Sequence, residues 1–182
     1  ASEGNSQMSG RKYYALYSGG KDSGTLIHYL LRRNELQSAV FFDTGIGAPD
    51  ILPFIKSRPF PGEIYRTPNN YEDLVRKFGF ARPDSHFIYV NELKGEALRG
   101  FKKAHKGEVP KPVLASGARR LESKRRFKNT KRVSEWEGFE VHTPLYDWTT
   151  SDVWEYIRVN NVELSPCYQT MHYSGDCFCG AF

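Results

Sequence analysis

Ser18-Gly19-Gly20-Lys21-Asp22-Ser23 is the stretch that decides the fold class of this chain. An aromatic and apolar run at residues 12–17 precedes it, and leucine and isoleucine recur at helical spacing through residues 23–33. This pattern predicts a strand, a tight loop and a helix. Two glycines let the backbone approach an anion, and the amides at the helix start, Lys21 and the serine hydroxyls favour phosphate. The loop is therefore a predicted phosphate site.

Two familiar phosphate-binding loops do not fit this stretch. A Walker A loop would need glycine at Ala15 and serine or threonine at Asp22. A dinucleotide fingerprint needs the spacing G-x-G-x-x-G, which residues 19–24 lack. Taken alone, the loop is also compatible with a plain strand-to-helix turn.

The strand-then-helix unit repeats along the chain, which predicts an α/β fold with a parallel sheet. Residues 87–90 are either a strand or an apolar lead into the next helix. The other predicted strands are residues 39–42, 63–66, 113–116 and 139–143, and the other predicted helices are residues 50–56, 70–78, 92–105 and 150–160.

Length and composition exclude several classes of protein. The chain has 182 residues, of which 39% are hydrophobic, which suits one globular domain with a continuous core. The longest apolar run, residues 13–17, is too short to span a bilayer. Three cysteines and no apolar leader predict neither a disulfide scaffold nor a signal peptide, so we expect a cytoplasmic protein. Residues 1–10 are predicted to be a tag or a disordered tail, ahead of a domain at residues 11–160 and a cysteine-containing segment at residues 161–182.

The net charge of +5 is unevenly distributed. Residues 94–132 hold 14 lysines and arginines against three acidic residues, so this segment carries +11. One basic surface on a mildly acidic body favours a polyanionic partner such as nucleotide phosphates, sulfate or a nucleic acid backbone. For residues 102–111, a solvated lysine-rich face is an equally good interpretation.

Several segments, in order, resemble known motifs. Residues 18–23 (SGGKDS) resemble the PP-loop of the ATP pyrophosphatase superfamily, and residues 41–45 (FFDTG) match its second strand end. Residues 117–126 look like the G-x-R-x-x-E-S-x-x-R signature of the phosphoadenylylsulfate (PAPS) reductase branch. Residues 144–148 with 152–154 are similar to that branch's P-h-x-x-W…D-V-W segment. The resemblance spans residues 13–179.

This resemblance implies a Rossmann-like parallel sheet of the adenine nucleotide alpha hydrolase type, with helices on both faces. It also implies that ATP or PAPS binds with Mg²⁺, and that residues 11–160 are the PP-loop nucleotide-binding domain. Arg119 and Arg126 are expected to contact phosphate or sulfate, with Glu122 orienting one guanidinium. A surface helix with Glu–Arg pairs is the alternative for this segment, and a strand-end cap is the alternative for Asp43. The expected nucleotide-binding residues are Ser18, Gly19, Gly20, Lys21, Asp22, Ser23, Asp43, Thr44, Gly45, Gly117, Arg119, Glu122, Ser123 and Arg126.

All three cysteines lie near the end of the sequence, at Cys167, Cys177 and Cys179. Such clustering favours metal or redox chemistry, and thiolates select Zn²⁺ or an iron–sulfur cluster such as 4Fe-4S, with His172 as a candidate fourth ligand. Three reduced cysteines in a buried tail are the alternative. The C-terminal E-C-G-h-H motif of dedicated PAPS reductases is absent, because the nearest string is D-C-F-C-G at residues 176–180.

Three functions follow from these observations. The first is an enzyme that adenylates an acceptor and releases pyrophosphate, using Lys21, Arg119 and Arg126; the acceptor would be a tRNA or DNA base destined for sulfur transfer, with a sulfur-donor protein as partner. The second is a PAPS or adenylylsulfate reductase in which a cysteine thiolate such as Cys177 or Cys179 attacks sulfur and a thioredoxin-like partner follows. The third is a nucleotide-binding module without turnover. The oligomeric state stays open, a homo-oligomer included.

Overall fold

The structure, a computed structural model, describes residues 11–180. The tail or tag predicted at residues 1–10 lies outside this range, as do the last two residues of the predicted cysteine segment. The strands are β1 (Tyr13–Leu16), β2 (Leu36–Asp43), β3 (Gly62–Arg66), β4 (Leu114–Ala115), β5 (Val133–Trp136) and β6 (Phe139–His142). The helices are α1 (Lys21–Arg32), α2 (Ile51–Lys56), α3 (Tyr71–Phe78), α4 (His86–Tyr89), α5 (Glu96–Ala104), α6 (Lys124–Asn129), α7 (Thr150–Asn160) and α8 (Pro166–Met171).

The strands form one sheet in the order β3-β2-β1-β4-β6-β5. Five of them run parallel, and β5 pairs antiparallel with β6. The parallel α/β sheet predicted from the alternating pattern is confirmed, with β5 as an addition that the pattern did not predict. A two-residue turn joins β5 to β6, and both of its residues, Glu137 and Gly138, have positive φ, as a tight hairpin requires.

Helices cover both faces of the sheet, as the resemblance implies. On one face, Leu26, Ile27 and Leu30 of α1 pack against the strands. On the other face, Leu98 and Phe101 of α5 pack against the strands. Burial of these side chains on both faces explains why β1, β2 and β4 are apolar along most of their length.

Residues 87–90 are helical, so the strand alternative for them is wrong. They belong to α4 and to the start of a π-helical segment, Val90–Gly95, which leads directly into α5. Tyr89 and Leu93 are buried in a small apolar cluster with Leu74 of α3. Tyr89 and Leu93 therefore bury against α3, whereas Phe87 of the same run is exposed. No helix within residues 11–180 has the length and apolarity needed to cross a bilayer.

His105, just after α5, ties this helix to β3. Its ring nitrogens lie 2.8 Å from a Glu63 carboxylate oxygen and 2.7 Å from one of Glu108. Burial lowers the pKa of His105, but the hydrogen bonds to the two carboxylates outweigh burial and raise it above the ordinary value of 6.5. The stability that His105 contributes is therefore complete below the ordinary pKa and disappears as pH rises through the raised one.

We expect the His105→Asn substitution to lower the free energy of unfolding more at about pH 5.5 than at about pH 8.5. Urea unfolding at both pH values measures this difference. His28→Asn is the matched control, because burial lowers the pKa of His28 and reverses the pH trend. An equal effect of His105→Asn at both pH values would contradict the assignment.

Candidate nucleotide-binding site

A cavity of about 450 Å³ opens at the carboxyl ends of β1 and β4. β1 and β4 are neighbours in the sheet, but the connection after β1 leads to β2 on one side and the connection after β4 leads towards β6 on the other. In open α/β sheets, ligands bind in the crevice at such a topological switch point. The cavity is lined on its apolar side by Leu16, Val40, Phe42, Trp136 and Val141. Its polar side includes Ser18, Ser23, Ser116, Arg126 and Lys94.

A groove of similar size, about 480 Å³, runs along α7. Three carboxylates line it, those of Asp147, Asp152 and Glu155. No lysine or arginine is among the described residues that line this groove, so it repels phosphate groups. The cavity at β1 and β4 also has three carboxylates, but Lys94, Arg126 and serine hydroxyls line it with them. The cavity at β1 and β4 is therefore the candidate nucleotide site, and we call it the nucleotide cavity.

The predicted phosphate loop lies at the polar end of the nucleotide cavity. Gly20 precedes α1 and no side chain caps the helix there, so the first amides of α1 keep their capacity to bind an anion. Ser23 shapes the turn: its Oγ accepts a hydrogen bond from the Ser18 amide at 3.2 Å and donates to the Gly20 carbonyl at 3.2 Å. Ser18, Asp22 and Ser23 line the cavity.

Lys21 points along the loop and does not line the nucleotide cavity. Its Nζ lies 2.6 Å from Asp22 Oδ2, and Tyr168 of α8 lies beside it. Burial raises the pKa of Tyr168, and the positive charge of Lys21 opposes this rise. The structure thus places Lys21 between an acidic and a phenolic side chain at the edge of the site. Its contact with phosphate stays a prediction.

Arg119 does not reach the nucleotide cavity, contrary to the expectation from the sequence. Its side chain is fully buried (0% exposed), and its Nε donates to Asp22 Oδ1 at 2.7 Å. Its Nη1 donates to the Trp148 carbonyl at 3.2 Å, and Thr150 lies within 3.4 Å. These partners consume the guanidinium donors that a phosphate would need. Arg119 is therefore a positioning residue for Asp22 and the start of α1.

Gly117 allows the loop after β4 to pass against the start of α1. A Cβ atom at this position would lie 2.9 Å from the carbonyl carbon and oxygen of Asp22, closer than van der Waals contact permits. Glycine is therefore required for the two segments to meet. Gly117 lines the nucleotide cavity, as predicted.

Arg126 is the arginine of the predicted motif that faces the nucleotide cavity. Arg126 and Glu122 both line it, and they form an ion pair with 3.5 Å between Nε and Oε2. Both side chains are part-exposed, so this pair itself stabilises the fold little. Ser123 accepts a hydrogen bond from the Arg126 amide and caps α6 without lining the cavity. The two arginines of the motif therefore differ: Arg119 is buried, and Arg126 is accessible to a ligand in the nucleotide cavity.

Asp43, Thr44 and Gly45 do not line the nucleotide cavity. Asp43 Oδ1 accepts a hydrogen bond from the Gly45 amide at 2.9 Å, and Oδ2 pairs with Arg66 at 3.2 Å. This is the strand-end cap that the sequence left open as an alternative. Phe41 and Phe42, which precede Asp43, line the cavity instead.

The segment from Ser165 to Phe178 forms part of the site through Ser165, Ser174 and Asp176, whereas the sequence predicted only cysteines and His172 of this segment as site residues. The Ser165 amide donates to the Gly19 carbonyl at 2.9 Å, and a Cβ built on Gly20 would lie 3.1 Å from Ser174 Cβ. The segment therefore covers the loop glycines. Asp176 lines the nucleotide cavity, and its Oδ2 lies 2.6 Å from Lys94 Nζ.

Lys94 and Asp176 form a charged wall of the nucleotide cavity. Burial lowers the pKa of Lys94, but the Asp176 carboxylate outweighs burial and raises it, so Lys94 is charged at neutral pH. The two residues are 82 positions apart in the sequence. The basic character of residues 94–132 was the one sequence signal that included Lys94, and it did not single out this residue.

The cysteines do not assemble into the predicted metal centre. Within residues 11–180, no group of three or more histidine, cysteine, aspartate or glutamate side chains is placed to hold a metal ion. Cys167 packs in the main core and donates to Met171 Sδ, whereas Cys179 is buried in the cluster around Tyr89. The described residues therefore fit neither Zn²⁺ nor 4Fe-4S, and His172 joins no ligand set.

The predicted Mg²⁺ also lacks a protein ligand set. Three carboxylates line the nucleotide cavity, and each already pairs with a cation: Asp22 with Lys21 and Arg119, Glu122 with Arg126, and Asp176 with Lys94. Mg²⁺ stays a prediction for the phosphates of the nucleotide, with no assigned protein ligand.

Comparison with known proteins identifies the family of this chain. A family model described as "Phosphoadenosine phosphosulfate reductase domain" matches residues 12–179. Sulfate adenylyltransferase subunit 2 of Bradyrhizobium sp. is 28% identical over 87% of this chain and 56% of its own length. The chain spans about half the length of the curated relatives it matches.

Two solved structures share the fold. Phosphoadenylyl-sulfate (PAPS) reductase from Candida auris has a TM-score of 0.62 and 16% identity, with 87% of this chain and 77% of that chain covered. The U34-tRNA thiolase NcsA from Methanococcus maripaludis, with its [4Fe-4S] cluster, has a TM-score of 0.55 and 15% identity, with 87% of this chain and 59% of that chain covered. At these sequence identities the likeness shows a shared fold and nothing more.

We expect the two arginines of the motif to behave differently when replaced by methionine. Arg119→Met leaves Asp22 without its buried partner and should lower the free energy of unfolding by about 2–4 kcal/mol. Arg126→Met should change it by less than about 1 kcal/mol and weaken ATP binding about tenfold.

Urea unfolding and calorimetric titration with ATP measure both effects. An Arg119→Met protein with unchanged stability and lost ATP binding would instead support the direct phosphate contact expected from the sequence.

Proposed function

Because the chain belongs to the phosphoadenosine phosphosulfate reductase domain family, we propose that it is an enzyme that binds ATP in the nucleotide cavity and transfers the adenylyl group to an acceptor, with release of pyrophosphate. One observation carries this proposal: the cavity is apolar along the sheet, is lined by the hydroxyl groups of Ser18 and Ser23 at the start of α1, and is also lined by the cations Lys94 and Arg126. The apolar lining suits an adenosine, and the hydroxyls and cations suit a chain of phosphates.

The polar residues of the cavity suit the charge changes of adenylyl transfer. The acceptor attacks the α-phosphorus, and the bond to the pyrophosphate group breaks. Ser18, Ser23 and the amides of α1 lie where the departing phosphates would be held, and Arg126 faces them from the other side of the cavity. Groups fixed in this way lower the barrier by positioning the substrate and by neutralising charge that develops in the transition state.

Two features of Cys177 favour adenylyl transfer over PAPS reduction. Burial raises the pKa of the Cys177 thiol to about 11, although the nearby Lys94 lowers it, so the thiol is protonated at neutral pH. A reductase needs the thiolate as its nucleophile. Cys177 and Cys179 also line a separate pocket of about 60 Å³ and do not line the nucleotide cavity.

Product analysis tests the proposal. The protein, purified without oxygen, is incubated with ATP and Mg²⁺, alone and with sulfate, glutamate or total tRNA, and in parallel with PAPS and a thiol reductant. We expect pyrophosphate and the adenylylated acceptor from ATP, with AMP where water takes the adenylyl group, formed about tenfold more slowly by the Arg126→Met variant. Lys128→Met, on the same helix but outside the cavity, should match the wild type.

The other outcomes identify the alternatives. Sulfite released from PAPS without AMP from ATP would make the protein a reductase. Saturable ATP binding with no product under any of these conditions would support the nucleotide-binding module.

A second experiment measures the state of Cys177 directly. In the folded protein, we expect the rate of Cys177 alkylation by iodoacetamide to increase with pH and to reach half of its maximum at a pKa of about 11. The same thiol in urea should titrate near its ordinary value of 9.0. Mass spectrometry of the peptide gives the rate, and Cys177→Ser identifies the modified site. Rapid alkylation of the folded protein at neutral pH would argue for a thiolate and for the reductase.

A further inference from the structure

A cleft of about 220 Å³, which we call the α1 cleft, lies beside α1 and apart from the nucleotide cavity. Tyr17 and Ile27 on its wall belong to the apolar cluster on the α1 face of the sheet. Val40 and Phe42 on the wall of the nucleotide cavity belong to the cluster on the α5 face. The two spaces therefore lie against different faces of the sheet, and Tyr17, at the end of β1, is the one described residue that lines both.

Three segments form the walls of the α1 cleft: α1, the residues after α2 and the residues after α7. Arg58 of the second segment and Glu163 of the third join through two hydrogen bonds, one with 3.0 Å between Nη2 and Oε1. A dry cavity of about 150 Å³ with apolar walls holds one benzene molecule, so the α1 cleft has room for a ring with a small substituent. Its small and apolar lining residues are Gly24, Ile27, Leu31, Pro59, Phe60 and Val162.

The hydroxyl of Tyr17 is the polar group at the centre of this lining. Tyr17 is only 5% exposed, and within residues 11–180 its hydroxyl has no hydrogen-bond partner. Its ring packs edge-on against Phe60, with 5.6 Å between the centroids. Burial raises the pKa of this phenol, while the charges of Arg58 and Glu163 act on it in opposite directions. These three neighbours all line the α1 cleft, so the hydroxyl points into it.

A buried hydroxyl without a partner costs free energy, and a ligand oxygen that accepts its hydrogen bond removes this cost. The hydroxyl is therefore the group of the α1 cleft that would recognise a ligand, and the apolar residues around it would hold the rest of that ligand.

The charged groups of the α1 cleft favour an uncharged ligand. Both carboxylate oxygens of Glu163 accept hydrogen bonds from the Arg58 guanidinium, so these two charges neutralise each other. The imidazole of His28 also lines the cleft. Burial and the nearby Arg32 lower the pKa of His28, so its ring is neutral at neutral pH. No described lining residue therefore offers an unpaired charge to a ligand.

We propose that the α1 cleft binds a small uncharged molecule with a ring-sized apolar body and one carbonyl or hydroxyl oxygen. The apolar body packs against Ile27, Phe60 and Val162, and the oxygen accepts a hydrogen bond from the Tyr17 hydroxyl. Binding there needs no nucleotide and is independent of the proposed function.

Nuclear magnetic resonance titration of the protein tests this proposal with two probes of similar shape. Acetophenone carries a carbonyl oxygen, and ethylbenzene lacks it. We expect both probes to bind and to shift the resonances of residues that line the α1 cleft. Tyr17→Phe should weaken acetophenone binding about fivefold, because one hydrogen bond is lost. The same substitution should change the affinity for ethylbenzene by less than about twofold, because the ring of residue 17 stays in place.

Tyr29→Phe is the matched control, because it removes a phenol hydroxyl of α1 that does not line the cleft. It should leave both affinities unchanged. Leu31→Glu places a charge on the apolar wall at a position that is 42% exposed, and it should weaken both probes by at least about fivefold. The midpoint of urea unfolding should be the same for Tyr17→Phe and the wild type, because the hydroxyl has no protein partner to lose.

Four results would overturn the proposal. The first is no binding of acetophenone, and the second is equal weakening of both probes by Tyr17→Phe. The third is a lower unfolding midpoint for Tyr17→Phe, because the hydroxyl would then have a protein partner. The fourth is displacement of acetophenone by the non-cleavable analogue α,β-methylene ATP without any effect of Leu31→Glu, which would place the probe in the nucleotide cavity.

The same titrations keep the two proposals apart. If α,β-methylene ATP does not bind while Tyr17→Phe weakens acetophenone alone, the proposed function fails and the α1 cleft stands as a ligand site. If the analogue binds and acetophenone does not, the α1 cleft fails and the proposed function is unaffected.

Discussion

The ion pair between Arg119 and Asp22 fixes the crevice on which the site depends. Arg119 is buried completely, so its charge is tolerated only because Asp22, the Trp148 carbonyl and Thr150 all surround it. These partners come from the start of α1 and from the entry to α7. The pair therefore joins three distant segments at the switch point of the sheet. It also holds the backbone of Gly117 against α1, which determines how wide the crevice is at the phosphate loop.

The charged residues that line the nucleotide cavity also form ion pairs. The carboxylates of the nucleotide cavity are neutralised in pairs, by Lys21 and Arg119, by Arg126 and by Lys94. Of these pairs, the one between Arg126 and Glu122 is the longest and among the more exposed, so it is the pair that an anion can open at least cost.

The sequence predicts those features of the structure that depend on residues close together in the chain. Alternating apolar strands and helices, and a glycine loop after the first strand, give the parallel sheet and the place of the site. The hairpin of β5 and β6 also had a local signal, because Glu137-Gly138 is a tight turn between two short segments that contain alternating apolar and polar residues. Local patterns do not determine which arginine is buried. Arg119 and Arg126 look equivalent in the sequence, and their difference comes from Asp22, 97 residues from Arg119. The pairing of Lys94 with Asp176 and the separation of Cys167 from Cys177 and Cys179 were unpredictable for the same reason.

The segment that covers the loop glycines also affects the order of folding. Thr44 donates to the Asp176 carbonyl across 132 residues, and Ser165 donates through its amide to Gly19. Contacts between parts of the chain so far apart form late, because closing the long loop between them costs entropy before any contact compensates for it. On the ribosome, β1, β2 and α1 are synthesised well before residues 165–176 leave the exit tunnel. The phosphate loop therefore stays uncovered during most of synthesis, and a nascent chain offers its loop amides to solvent until its later part arrives.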